Sequence, residues 1–229
     1  MSSTGNMYDW ISKTKNPLCG VCEHFCKYCY IERRKKRFPV IRNKYSGEIR
    51  LDERVLSQKL GSGKLYFIQS MGDLFAENVP ESMIMTVLKW CSEYPDNTYL
   101  FQSKNPARFL LFQDGEYPKN KILCTTIESN KDYEGMSKAP LIQERVKAMI
   151  ELWRRGYKTF LTIEPIMEFD LHELVTMIRL CHPIQVNIGA DSFNKKLPEP
   201  TKQEVLDLIC ELQKFTTVKE KKNLKRLLK

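Results

Sequence analysis

The sequence has no long hydrophobic run. Its longest apolar segments, Leu65–Ile68 and Thr159–Ile163, have the length of a β-strand and fall far short of the roughly 18 apolar residues that a membrane-spanning helix needs. The opening segment MSSTGNMYDW contains no basic stretch followed by an apolar one, so no secretory signal is predicted. We therefore expect no membrane association and a cytoplasmic location.

Core-forming residues are not scarce. Hydrophobic residues make up 42% and aromatic residues 10% of the 229 residues, which excludes a disordered chain and a disulfide-dense miniprotein. The length suits one ordinary-to-large domain. We expect a folded, soluble protein with one domain over residues 1–216, followed by a basic tail over residues 217–229.

Acidic residues are fewer than basic ones, 28 against 37, and the net charge of +9 favours polyanionic partners. Residues 218–229 hold six basic residues and one Glu. A second basic run, RRKKR, comprises Arg33, Arg34, Lys35, Lys36 and Arg37. Both segments are candidates for nucleic-acid contact. The alternative for the tail is a solvated terminus that binds nothing, and the oligomeric state is left open.

Half of the eight cysteines lie close together, as Cys19, Cys22, Cys26 and Cys29, while Cys91, Cys124, Cys181 and Cys210 are scattered singly. Under reducing conditions, closely spaced thiols hold a metal or do redox work more often than they form disulfides. Zinc sites usually pair two C-x2-C elements across a longer loop, which the spacing C-x2-C-x3-C-x2-C lacks. From spacing alone, both zinc and an iron–sulfur cluster remain open.

After the cysteines, β-rich runs alternate with amphipathic stretches, which is typical of an α/β fold with a parallel sheet. We expect helices beginning near Pro80, Ile142, Asp170 and Thr201. The predicted strands are Tyr8–Ser12, Leu65–Ser70, Thr98–Ser103, Ile122–Ile127, Thr159–Ile163 and Ile184–Ile188. Periodicity alone permits either a partial barrel or a doubly wound sheet.

Polar residues follow most of the predicted strands. In chain order they are Met71-Gly72-Asp73, Ser103-Lys104, Glu128, Glu164-Pro165, and Gly189 with Asp191. Because the carboxyl ends of parallel strands meet at one edge, these residues are candidates for a common site.

The spacing C-x3-C-x2-C of Cys22, Cys26 and Cys29, with Tyr28 before the last thiol, resembles the signature of the radical S-adenosylmethionine (SAM) superfamily. The resemblance implies a partial (β/α)6 TIM-like barrel with the cysteine loop after its first strand. It also implies that these three thiolates hold a [4Fe-4S] cluster and that SAM binds the open iron. An external donor would then supply the electron that cleaves SAM to a 5'-deoxyadenosyl radical.

The same resemblance implies roles for other residues. Met71-Gly72-Asp73 is similar to the family's glycine-glycine-glutamate element, although Met71 replaces a glycine and Asp73 is one methylene shorter than glutamate. The implied cofactor-binding residues are Tyr28 beside adenine, Gly72 and Asp73 at the SAM ammonium, and Ser103, Lys104 and Glu128 at its ribose and carboxylate. Glu164 and Asp191 are the catalytic candidates that face substrate.

The blocks SMGDLF, FQSKNPARF, TIES, TIEPI and NIGADS resemble a narrower, poorly characterised radical SAM-like family common in phage genomes, with spore photoproduct lyase as a distant relative. The leading hypothesis is a radical SAM enzyme that acts on a nucleic acid or nucleotide. One alternative is modification of a peptide or protein partner. Another is a non-enzymatic nucleic-acid-binding protein with a zinc site at the four clustered cysteines.

Two further cysteines have open roles. Cys19 is outside the three-cysteine motif and is a fourth ligand, a supporting thiol or a buried packing residue. Cys124 lies on a predicted strand that would line the barrel, so it either packs in the core or returns a hydrogen atom to a substrate radical.

Overall fold

The computed structural model describes residues 8–193 and 196–229, and a curled parallel sheet of seven strands organises this part of the chain. The strands are β1 (Lys13–Lys15), β4 (Leu65–Ile68), β5 (Thr98–Ser103), β6 (Lys121–Thr126), β7 (Thr159–Ile163), β8 (Gln185–Ile188) and β9 (Thr217–Glu220), and a separate antiparallel pair comprises β2 (Leu18–Cys19) and β3 (Arg50–Leu51). The seven strands lie side by side in chain order. A doubly wound sheet would reverse that order at a switch point. The predicted α/β partial barrel is therefore confirmed, with seven strands rather than six.

Helices connect most neighbouring strands of the sheet. They are α1 (Tyr30–Arg37), α2 (Pro39–Lys44), α3 (Glu53–Leu56), α4 (Glu81–Ser92), α5 (Ile142–Arg154), α6 (Leu171–Leu180) and α7 (Lys202–Gln213), with short 3-10 turns at Pro106–Leu111, Asp114–Glu116 and Lys222–Arg226. The four predicted helix starts are confirmed: the Asp170 side chain caps α6, and Thr201 forms a capping box with Glu204 at α7. Across the described residues, no helix is long and apolar enough to cross a bilayer.

Alternating side chains divide the core into two clusters. Tyr66 and Ile68 of β4 join the large cluster that includes the apolar faces of α4 to α7, whereas Phe67 between them joins a smaller cluster with Leu100 and Cys124. Because successive strand residues point to opposite faces, the smaller cluster marks the concave face of the sheet.

The segment before β1 fills this concave face. The prediction of a strand over Tyr8–Ser12 is wrong, because regular pairing begins only at Lys13. The Tyr8 ring stacks on Trp10 with centroids 5.0 Å apart, and its hydroxyl lies 2.7 Å from both Gln102 Oε1 and Thr162 Oγ1. Burial of both rings against the sheet outweighs extension of the strand here.

The seventh strand lies in the segment expected to be a basic tail. Thr217–Glu220 pairs in parallel with β8, and Leu224 behind it is fully buried. The β-branched pair Thr217-Val218 suits a strand, but the surrounding lysines dominate the local composition. The strand carries Lys221 and Asn223 to the carboxyl edge of the sheet.

Candidate functional site

The cysteine loop, residues 20–29, runs from β2 to the start of α1 and is tied to two other segments. The Lys27 and Lys138 backbone N–H groups donate to Met136 O at 2.9 Å and His24 O at 2.7 Å. Gly20 is required at its entry, since its φ is +100° and a Cβ there would lie 2.4 Å from Glu48 O. These contacts fix the path of the loop between β2 and α1.

The three motif thiols are free and partly exposed, unlike the buried Cys19, Cys91, Cys124 and Cys181. Burial, then the charges of Asp73 and the other two motif thiols, raises the pKa of Cys22, and burial raises that of Cys29. Three neighbouring thiols on one short loop fit the donor set of an iron–sulfur cluster. In the described ranges, no group of three His, Cys, Asp or Glu side chains converges as ligands of a single metal ion.

Cys19 is buried on β2, before the cysteine loop. Burial raises the pKa of its thiol, while the charge of Lys44 lowers it and that of Asp52 raises it by smaller amounts. Lys44 and Asp52 form an ion pair 2.5 Å long. Cys124 is fully buried on the concave face, with its Sγ 3.6 Å from Thr162 Oγ1.

Asp73 joins the cysteine loop to the sheet. Its Oδ2 lies 2.7 Å from His24 Nε2 and accepts hydrogen bonds from Ser103 Oγ at 3.0 Å and Lys104 N at 2.8 Å, while Oδ1 accepts one from Phe75 N at 2.9 Å. Burial alone would raise the pKa of Asp73, but the hydrogen bond and charge of His24 and the backbone donors lower it below its usual value. Asp73, predicted at the SAM ammonium, here has both oxygens bonded within the protein.

Gly72 precedes this carboxylate in the loop after β4. Its φ is +125°, and a Cβ would lie 3.0 Å from Gln69 Nε2. Gln69 in turn accepts a hydrogen bond from Leu18 N at 2.9 Å and donates one to Met71 O at 2.9 Å. The turn that presents Gly72 and Asp73 is thus fixed by one buried amide.

Tyr28, Lys104 and Glu128 form a second cluster beside the loop. Lys104 Nζ lies 2.7 Å from Tyr28 OH, and both groups contact Glu128 Oε1. Arg145 of α5, which sequence reasoning missed, donates to Glu128 Oε2 at 2.8 Å and to Thr126 O at 3.0 Å. Burial opposes ionisation of Glu128, but the charges of Lys104 and Arg145 lower its pKa to about 2. The cluster combines a hydroxyl, an ammonium and a carboxylate.

A signal for Arg145 exists in the sequence. It stands three residues after Ile142 and directly before Val146, on the apolar stripe of α5. A charge in such a stripe usually has a buried partner. The sequence does not identify the partner of His24, because a lone histidine between thiols is more often a hydrogen-bonding or solvent-facing group than a metal ligand, and neither role specifies a partner.

Glu164 and Asp191 lie at the other side of the carboxyl edge. Glu164 pairs with Lys221 Nζ and accepts a hydrogen bond from Asn223 Nδ2 at 2.7 Å. Asp191 is buried, and its Oδ1 accepts from Phe193 N at 3.0 Å. The described contacts do not join either carboxylate directly to Asp73 or Glu128.

Helix α1 connects the two sides. Tyr30 OH donates to Ser70 O, after β4, at 2.8 Å, while the Arg33 guanidinium lies 4.5 Å from the centroid of Phe193, after β8. The basic run 33–37 is therefore on a helix at the carboxyl edge. Arg33, Arg34, Lys36 and Arg37 are exposed, and Lys35 pairs with Glu32 at 2.6 Å.

The fold has known counterparts among solved structures. A cysteine-to-serine mutant of spore photoproduct lyase superposes with a TM-score of 0.64 at 11% identity, covering 90% of this chain and 75% of that one. Spore photoproduct lyase complexed with dinucleoside spore photoproduct gives 0.56 at 14% identity, with coverage of 87% and 60%. SuiB of Streptococcus suis bound to S-adenosylmethionine gives 0.56 at 8%, with coverage of 91% and 47%.

These similarities show the fold: this chain has a partial barrel like those of spore photoproduct lyase and SuiB. The chain belongs to the family described as "Protein of unknown function (DUF5131)", which matches residues 6–181. No curated protein matches it in sequence.

Proposed function

We propose that this protein is a radical SAM enzyme whose substrate is a nucleic acid or nucleotide. The observation that carries the proposal is the placement of three free, partly exposed thiols, Cys22, Cys26 and Cys29, on a fixed loop at the carboxyl edge of a parallel half-barrel. This is the edge where barrel enzymes gather their functional groups.

Cys22, Cys26 and Cys29 would hold a [4Fe-4S] cluster. When bound, that cluster supplies one electron, taken from an external one-electron reductant, to break the C5'–S bond of SAM, which gives methionine and a 5'-deoxyadenosyl radical that takes a hydrogen atom from substrate. His24 and Asp73 would keep the cysteine loop oriented, because His24 binds Asp73 after β4, and Asp73 in turn accepts a hydrogen bond from Lys104 N at the end of β5.

Tyr28, Lys104 and Glu128 would receive SAM. The Lys104 ammonium suits the SAM carboxylate and the Glu128 carboxylate suits hydroxyl or ammonium groups, as charge-assisted hydrogen bonds. Gly72 lets the backbone approach the cofactor closely, and Ser103 holds Asp73 in place. Glu164 and Asp191 would face substrate across the edge from the cofactor.

Two observations support the nucleic-acid part of the proposal. The exposed basic residues of α1 lie at the same edge as the cysteine loop and suit phosphate groups. One structural counterpart, spore photoproduct lyase, binds a dinucleoside photoproduct.

The test is anaerobic reconstitution with iron and sulfide, followed by reduction with dithionite in the presence of SAM and chromatography for 5'-deoxyadenosine. We expect deoxyadenosine from the intact protein and none from the Cys22, Cys26 and Cys29 triple-alanine variant. Cys210→Ala is the matched control, since Cys210 is exposed on α7, away from the loop. Tightly bound zinc with neither iron–sulfur absorption nor SAM cleavage would overturn the proposal.

A further inference from the structure

The corner between α1 and α2 exposes apolar side chains on an otherwise basic surface. Phe38, the residue between the two helices, is 41% exposed, and Val40 is 77% exposed. Along α1 only Ile31 is buried, and α2 buries none of its residues. These two helices therefore leave most of their surface to solvent, including one large aromatic ring.

The backbone of Phe38 is hydrogen-bonded to both helices. Its N–H donates to Arg34 O at 2.8 Å and its carbonyl accepts from Arg42 N at 3.0 Å, so one bond ties it to each helix. Pro39 fixes the first turn of α2 directly after it. A ring presented on a fixed backbone loses little conformational entropy when a ligand stacks on it.

Basic groups surround this ring. The guanidinium carbons of Arg34 and Arg37 lie 6.0 Å and 5.3 Å from its centroid. Within residues 8–193 and 196–229, no salt bridge neutralises Arg34, Lys36 or Arg37. A partly exposed aromatic ring beside unneutralised cations, two of which lie over the ring, matches a strand of nucleic acid, whose bases stack and whose phosphates are anionic.

We propose that Phe38 stacks on an unpaired base of a single-stranded nucleic acid, with the phosphates of that strand along the basic side of α1. This inference rests on the proposed function and adds the form of the substrate. An unpaired base is required because the bases inside a duplex already stack on one another. Eight helical residues separate Phe38 from Cys29, about 12 Å along the helix axis. A strand held at Phe38 therefore reaches the cysteine loop within a few nucleotides.

The experiment measures binding of fluorescein-labelled 12-nucleotide single strands, as DNA and as RNA, to the full chain at several salt concentrations. Fluorescence anisotropy reports affinity. We expect Phe38→Ala to weaken binding by about 5- to 100-fold without changing the salt dependence, because one base loses its stacking partner. We expect Lys36→Ala to reduce the slope of log affinity against log salt concentration by the equivalent of about one phosphate contact.

Three variants separate stacking from other effects. Phe38→Tyr keeps the aromatic face and should bind like the wild type, whereas Phe38→Leu keeps apolar area without the ring and should bind like Phe38→Ala. Trp153→Ala is the matched control, because Trp153 is also 41% exposed but lies on α5, stacked on His182. It should leave binding unchanged.

The outcomes distinguish this inference from the proposed function. Single-strand binding that Phe38→Ala or Phe38→Leu leaves intact would overturn the stacking role and leave the nucleic-acid proposal standing. Absence of binding to either strand at low salt would remove both nucleic-acid claims, while deoxyadenosine formation would still report radical SAM chemistry. Affinity for a 12-base-pair duplex equal to that for the single strands would also contradict the inference. A preference for the DNA or the RNA strand would identify which nucleic acid the protein binds.

Discussion

The two sides of the carboxyl edge differ in how their charges are buried. At the ends of β4 to β6, the Glu128 and Arg145 side chains are 3% and 5% exposed, and every oxygen of Asp73 and Glu128 has a protein partner. At the ends of β7 to β9, Glu164 is 17% and Lys221 10% exposed. The Glu128–Arg145 pair, a framework under the cysteine loop, is therefore more deeply buried than the Glu164–Lys221 pair.

The largest effect should come from breaking the framework at Arg145. Arg145→Ala leaves the Glu128 carboxylate buried with only Lys104 and Tyr28, and we expect a loss of about 3–5 kcal/mol in the free energy of unfolding, as for other buried ion pairs that lose one partner. Urea unfolding followed by circular dichroism measures it. Glu151→Ala, in an exposed pair with Arg155, should cost about 0–1 kcal/mol. Equal effects of the two variants would contradict the contrast between buried and exposed pairs.

The pH dependence of stability should report the same framework. The folded pKa of Glu128 is about 2, below the ordinary 4.5, so its stabilising contribution is complete above pH 4.5 and is lost as the pH falls towards 2. We expect the urea midpoint of the wild type to fall more steeply between pH 5 and 3 than that of Glu128→Gln, which has no proton to bind there. Parallel curves for the two proteins would show that Glu128 keeps an ordinary pKa.

At the ends of β7 to β9, Gly189 tests how closely the side chains pack. A Cβ at this position would lie 2.8 Å from Glu164 Oε1 and 2.9 Å from Asn223 Oδ1, so Gly189→Ala must displace both side chains. We expect a loss of about 1–3 kcal/mol, measured by urea unfolding. Gly115→Ala is the matched control, since a Cβ added at Gly115 would meet no described atom within 4 Å. A neutral Gly189→Ala would mean that Glu164 and Asn223 are free to move.

The smallest effect should follow removal of Lys221. Lys221→Ala breaks the ion pair with Glu164, but Asn223 still donates to that carboxylate and water reaches it. We expect a loss of about 1–2 kcal/mol, clearly smaller than for Arg145→Ala. A loss as large as that of Arg145→Ala would mean that the Glu164–Lys221 pair stabilises the fold as strongly as the Glu128–Arg145 pair.

Local patterns were sufficient for much of this arrangement. Strands β4 to β8 and helices α4 to α7 appear where period-two and helical periodicities predicted them, because each has its own stripe of apolar residues. The carboxyl ends of parallel strands meet at one edge of the sheet, so the residues that follow the strands were predicted to lie there. They are Gly72, Asp73, Ser103, Lys104, Glu128 and Glu164.

Contacts between distant segments were not predictable in this way. Tyr8 was assigned to a strand, yet it fills the concave face by bonding to residues 94 and 154 positions away. The strand Thr217–Glu220 is short and lysine-rich, and it becomes a strand because β8 offers an unpaired edge. The pairing of His24 with Asp73, 49 residues apart, likewise depends on how the loop folds back.

The sequence by itself determined the class of fold, the three-thiol loop and the set of polar strand ends, because these follow from spacing and periodicity within short segments. Only the tertiary structure decided which charges meet. Asp73 is bonded to His24, Glu128 to Arg145, and Glu164 to Lys221. The physical reason is that a buried charge needs a partner, and the chain supplies that partner from whichever element the fold brings within hydrogen-bond distance.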